Sequence, residues 1–199
     1  MSKNFYTAVK ERRSYYEIDK QIPIPEERLQ DIIKDAVLNA PTSFNSQSAR
    51  VVLLLGAGHD RLWDITKDSL RKVVPPENFS PTEQKINSFR GGFGTVLFFE
   101  DYSVIESLQQ QFAQYKDNFP VWAEQSNGIL QYIIWTSLEI EGIGASLQHY
   151  NPLIDEAVRN EWKIPLNWKL IAQMPFGKPK ALPGEKQFQP IEPRFKVFR

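Results

Sequence analysis

The chain has 199 residues, 41% of them hydrophobic and 24% charged, enough for one domain with its own core and too apolar for disorder as the default state. Its 24 basic and 24 acidic side chains cancel, which speaks against a general nucleic-acid binder. The lack of cysteine removes disulfides, thiolate zinc sites, iron–sulfur clusters and cysteine nucleophiles, and two histidines, His59 and His149, leave little for a metal site. No run reaches the ~18 apolar residues of a membrane span, and the start has no apolar signal core. The expectation is a soluble, cytoplasmic protein with neither membrane nor nucleic acid as partner.

In chain order, residues 4–13 predict a short helix from the spacing of Phe5, Ala8 and Val9. Ile22–Pro25 is an extended entry to the strongest amphipathic helix, with Leu29, Ile32, Ile33, Ala36, Val37 and Ala40 on one stripe and Pro41 as its stop. Residues 41–50 are a polar loop, and Val51–Leu55 is a short buried strand. Residues 60–73 read as helix and 74–94 as irregular, with a tight turn at Gly91–Gly94. Thr95–Phe99 is a second buried strand, and Val104, Ile105, Leu108 and Phe112 mark a further helix. Residues 122–142 form a long helix apolar on most sides, which predicts a central place. A shorter helix begins at Asn151-Pro152, and residues 168–175 are a third strand. The alternating tail from Ile191 to Phe198 predicts an edge strand. The sum is one α+β domain over residues 1–199, with helices around a small sheet.

Three polar segments interrupt this pattern. Arg12-Arg13-Ser14 closes the first helix: its guanidinium forks and hydroxyl suit a phosphate, and cations there also simply complement the helix dipole. Pro41-Thr42-Ser43-Phe44-Asn45-Ser46-Gln47 offers amides that match a heteroaromatic ring edge, or an ordinary turn after a helix stop. Gly142-Ile143-Gly144, leading into Gln148, His149 and Tyr150, allows close backbone approach, or is a glycine cap on a long helix. No dinucleotide glycine fingerprint, phosphate loop or nucleophile elbow is present, and no carboxylate pair is marked out for glycoside chemistry.

In this order the segments resemble the nitroreductase family of FMN-dependent, NAD(P)H-using oxidoreductases. The match rests on Arg12-Arg13-Ser14, the Pro41–Gln47 loop, Gly142-Ile143-Gly144 after an apolar helix, and Gly177-Lys178-Pro179 ending a late strand. The Arg-Arg-Ser-Tyr-Tyr start and the Ser-Phe-Asn-Ser-Gln loop are similar to the subfamily that includes the yeast fatty-acid-repression-mutant protein and related bacterial nitroreductases.

The resemblance implies a nitroreductase-like fold with a mostly antiparallel sheet, in an intertwined homodimer whose two FMN sites draw residues from both chains. Arg12, Arg13 and Ser14 would meet the phosphate, and Thr42, Ser43, Asn45 and Gln47 the ring and ribityl. Gln148, His149 and Tyr150 would lie near the N5 and O4 edge. Lys186, with Lys178 and Lys180 behind it, would complete the phosphate grip. Tyr16 stands where many members carry a cation facing N1 and O2, and Lys67, Arg71 and Lys72 are possible substitutes. The implied activity is ping-pong: hydride from NAD(P)H to flavin N5, then reduction of a small planar nitroaromatic or quinone-type acceptor. No protein group acts as catalyst in the bond-making step and no metal is expected. The alternative is a flavin-binding regulatory or storage protein with slow turnover.

Overall fold

A computed structural model describes residues 3–199. Helix α1 (Phe5–Glu11) starts on Asn4, whose side chain accepts a hydrogen bond from the Thr7 amide. Strand β1 is only Ile18–Asp19. Helix α2 (Glu26–Asn39) carries Glu26 and Glu27 in its first turn, where carboxylates complement the dipole, and buries Leu29, Ile32, Ile33 and Ala36. Strand β2 (Ala49–Leu55) runs directly into α3 (Gly56–Arg71).

Helix α4 (Phe79–Arg90) lies where the sequence predicted irregular chain. Only Phe79, Ile86 and Phe89 of it are buried, so the apolar stripe is sparse, and Pro75, Pro76 and Pro81 read as breakers. Pro81 in fact falls in the first turn, where a missing N–H costs nothing.

Strand β3 (Gly94–Asp101) is buried throughout. Helix α5 (Tyr102–Gln111) follows on the Asp101 cap, and α6 (Asn118–Ile140) begins four residues before the predicted start. Strand β4 (Gly144–Ala145), helix α7 (Asp155–Trp162) and strand β5 (Trp168–Pro179) complete the order.

The sheet runs β1-β5-β3-β2, all antiparallel, and β4 also pairs with β5. Alternation along β3 divides the core. Val96 and Phe98 pack with α2 and α6 side chains such as Leu29, Ile33, Leu130 and Ile134. Leu97 and Phe99 face Leu62 and Trp63 of α3, Ile86 and Phe89 of α4, and Ile154 and Val158. A sheet covered on both faces needs strands that are apolar without interruption, which is how β3 reads.

Two expectations are corrected. Helix α6 is not enclosed on all sides: Val121, Ile129 and Tyr132 are exposed, while Ser126, Asn127, Gln131 and Glu139 are buried. The tail from Ile191 is a turn followed by irregular chain, with Ile191, Phe195, Val197 and Phe198 exposed. Its alternation marks side chains suited to a second surface, and the chain's own sheet does not supply one.

Candidate functional site

The turn after α1 is fixed from two sides. The Arg12 amide donates to Ala8 O at 2.8 Å and so ends the helix. Ser14 forms a parallel bridge with Ala145, and the Tyr15 amide donates to Ala145 O at 3.0 Å. This joins the first polar segment to the third. A Cβ on Gly144 would come within 2.8 Å of the Tyr15 ring and of Pro179, so only glycine lets the two strands of chain meet here. Gly142 has φ 77° and its amide donates to Glu139 O, so it also caps α6.

Arg12 holds its guanidinium carbon 4.1 Å from the centre of the Trp135 ring on α6. Its Nε is buried without a hydrogen-bond partner, and so is the Trp135 indole N–H. Arg13 and Ser14 are half-buried beside it. A buried guanidinium N–H without an acceptor is costly in a finished site and normal in one that receives an anion. These residues therefore fit a phosphate group.

Gln148 exchanges backbone hydrogen bonds with Gln173 at 2.7 and 2.9 Å, and its side-chain amide donates to Ser146 Oγ at 3.1 Å. The Tyr150 amide donates to Gln173 Oε1 at 2.8 Å, while its ring meets Trp63 edge-on. Burial, together with the nearby Tyr16 phenol, pushes the Tyr150 pKa up to about 12, so it remains a neutral donor at any working pH. His149 between them is exposed.

Tyr16 is half-exposed against Phe89, with the Lys85 ammonium 6.0 Å from its ring centre. Two of the three predicted substitute cations are occupied elsewhere. Lys67 meets Asp64 and Asn87, and Arg71 meets Asp68 and Glu83. Lys72 caps the end of α3. The sequence reading missed Lys85 because α4 was not recognised as a helix.

The Thr42–Gln47 loop is built by unusual backbone. Phe44, Asn45 and Gln47 have φ of 57°, 51° and 48°, and the Thr42 hydroxyl accepts from the Gln47 amide at 3.1 Å. Left-handed backbone is unfavourable for a bulky residue. What offsets it at Phe44 is an aromatic clasp: Phe112, Phe119, Trp122 and Tyr115 surround the ring at 5.0–5.9 Å between centroids. Ser43, Asn45 and Gln47 are left on the loop surface, partly or fully exposed. Among the described residues, no hydrogen bond joins this loop to the Arg12–Tyr16 or Gln148–Tyr150 segments.

Behind the loop, Arg50 pairs with Asp101 at 2.9 Å. Burial would raise the Asp101 pKa, but hydrogen bonds from Ser103 and Asn167 and the Arg50 charge outweigh it, and the net shift is downward. Glu100 beside it is buried, with only the Asn127 amide donating to Oε1, and burial raises its pKa. Lys186 sits on the exposed tail with its ammonium over Phe188, and among the described residues no hydrogen bond joins it to Ser14.

A cleft of about 850 Å³ opens between α2 and the outer edge of β2, lined mainly by apolar residues such as Ile33, Val37, Val51 and Leu53. Thr42, Gln47 and Arg50 reach one part of its wall.

Residues 9–178 match the nitroreductase family. HBN1 of Saccharomyces cerevisiae is 36% identical over 181 residues, 89% of each chain, and the nitroreductase FRM2 of the same yeast is 33% identical over 188 residues, 93% of each. Nitroreductase CinD from Lactococcus lactis, solved with chloramphenicol and with 4-nitrophenol, superposes with a TM-score of 0.90 at 44% identity, over 98% of this chain and 100% of that one. An FMN complex of a protein from Exiguobacterium sibiricum shares the fold at 13% identity and a TM-score of 0.73. The expected fold, helices around a small antiparallel sheet, is the one observed, and the chain belongs to the nitroreductase family of oxidoreductases.

Proposed function

We propose that this chain is an FMN-dependent oxidoreductase that takes electrons from NAD(P)H and passes them, in ping-pong order, to nitroaromatic or quinone-type acceptors. It works in the cytoplasm as a homodimer in which residues 1–199 form one flavin-binding unit. The observation that carries the reading is the buried, acceptor-less Nε of Arg12, on the turn that Ser14 ties to Ala145. When bound, FMN supplies hydride chemistry at N5.

The chain's own task is to bind and orient. Arg12 and Ser14 hold the phosphate, with Arg13 beside them. Gln148, His149 and Tyr150 border the ring edge; Gln173 already engages the Gln148 backbone and the Tyr150 amide, which leaves the His149 backbone and the neutral Tyr150 phenol for the flavin. The loop carrying Thr42, Ser43, Asn45 and Gln47 shares no hydrogen bond with those segments within one chain, as expected of a site completed between two copies. Lys186 then reaches the phosphate from a tail that its own chain leaves exposed. Complexes of CinD with 4-nitrophenol and chloramphenicol support nitroaromatic acceptors.

The test is purification followed by an absorbance spectrum and steady-state oxidation of NADH and NADPH with 4-nitrophenol or a quinone. A yellow protein that turns over with either acceptor supports the reading. Colourless protein that fails to take up added FMN overturns it. Bound FMN with negligible turnover would assign a storage or regulatory role instead.

A further inference from the structure

Trp135 lies on α6, between buried Ile134 and Thr136, so its backbone is fixed by the core. Its ring supports Arg12, which lies 123 positions earlier in the sequence. Arg50 and Arg71 also lie over aromatic rings, at 5.8 and 5.3 Å, but each has a carboxylate partner, whereas Arg12 sits at 4.1 Å with no carboxylate partner among the described residues. Instead its guanidinium faces an indole, and both groups keep a buried N–H without an acceptor. An aromatic face attracts a cation without neutralising it. The guanidinium is thus held in one position with its full charge still available to a bound anion. A carboxylate in the same place would hold it equally well and cancel that charge.

We propose that Trp135 is a positioning residue for anion binding: it fixes Arg12 for the phosphate of the flavin nucleotide. The inference rests on the flavin reading given above. Pre-fixing a long side chain removes ordering cost that an anion would otherwise have to offset. The gain therefore belongs to the phosphate alone. It is read as the preference for FMN over riboflavin, which lacks the phosphate and shares the ring and ribityl.

The experiment compares the affinities of FMN and riboflavin, followed by quenching of flavin emission, in the wild type, Trp135→Leu, Trp135→Phe and Arg12→Ala, and in the double variant Arg12→Ala with Trp135→Leu. Trp135→Leu is expected to reduce the FMN-over-riboflavin ratio by roughly tenfold, the scale of one partly desolvated cation–π contact. Trp135→Phe, which keeps an aromatic face, should restore most of that ratio. In the Arg12→Ala background, Trp135→Leu should change the ratio no further.

A ratio unchanged in Trp135→Leu overturns the inference. So does a parallel loss of FMN and riboflavin affinity, or an equal loss of ratio in Trp135→Phe, since each describes a residue needed only for packing. A wild type that binds FMN no better than riboflavin counts instead against Arg12 as a phosphate ligand. One that binds neither counts against the flavin reading as a whole.

Discussion

Lys85 on α4 holds its ammonium 6.0 Å from the centre of the Tyr16 ring. A positive charge therefore stands beside the position where many family members carry their own cation, although residue 16 is a phenol. If this edge faces flavin N1 and O2, Lys85→Ala lowers the two-electron midpoint potential by tens of millivolts, since roughly 30 mV corresponds to 1.4 kcal/mol. Tyr16→Lys then raises the potential appreciably only when Lys85 is absent. Dye-equilibration titration of the wild type, both single variants and the pair checks this. A potential indifferent to Lys85 would separate α4 from the flavin.

Phe44 combines left-handed backbone with an aromatic clasp, and the two can be separated. Phe44→Ala removes the ring contacts and keeps the unfavourable φ, so it should lose about 2 kcal/mol of stability. Phe44→Gly loses the same contacts but relieves the backbone, and should recover roughly 1 kcal/mol of that loss. Urea unfolding of both variants reads the difference. Equal stabilities would mean that φ 57° carries no strain here.

His59 is buried, with Nδ1 2.8 Å from Thr95 Oγ1 and Nε2 3.2 Å from Arg90 O. Burial lowers its pKa from 6.5 to about 4. The unfolded chain therefore binds the proton more readily between these values. The stability that neutral His59 represents is complete above pH ~6.5, is lost as pH falls toward 4, and amounts to roughly 3 kcal/mol. Glu100, raised by burial, acts with the opposite sign from its ordinary value upward. Comparing wild type with His59→Gln by denaturant unfolding at pH 7, 5.5 and 4.5 isolates the histidine. The variant should lose less stability over that interval, and parallel curves would contradict the shift.

The exposed tail predicts its own deletion phenotype. Removing residues 186–199 takes away Lys186 and the exposed Phe188, Ile191, Phe195, Val197 and Phe198. Helix and strand content by circular dichroism should stay the same, because the segment contains neither. In the FMN-binding homodimer proposed above, the mass by light scattering should fall from twice the 23.1 kDa chain mass toward that of one chain, and FMN affinity should fall with it. A tail-less protein that remains dimeric would remove the tail from the interface.

The parts of this fold legible in the sequence are those whose burial is dense and periodic. The stripe Leu29, Ile32, Ile33, Ala36 defines α2, and the unbroken run Thr95–Phe99 defines β3. Helix α4 escaped notice because three buried residues suffice to seat it on α3 and the sheet. Strands β1 and β4, two residues each, exist through their pairing with β5 and have no pattern of their own. Most candidate site residues were visible as polar interruptions. Trp135 and Lys85 were not, because an aromatic or a lysine on a helix carries no local sign of what it touches across the fold.

The bridge between Ser14 and Ala145 also has a consequence in time. The turn that carries Arg12 gains its partner only after α6 is complete, and the neighbouring Gln148 finds Gln173 only when β5 has formed. The chain must therefore have left the ribosome through β5 (Trp168–Pro179) before both pairings can close, since pairings so distant along the chain form late. Until α6 has emerged, the apolar faces of α2 and β3 lack one of their covers. If the chain binds the flavin nucleotide proposed above, a product terminated before β5 would take up none, however well its first half folds.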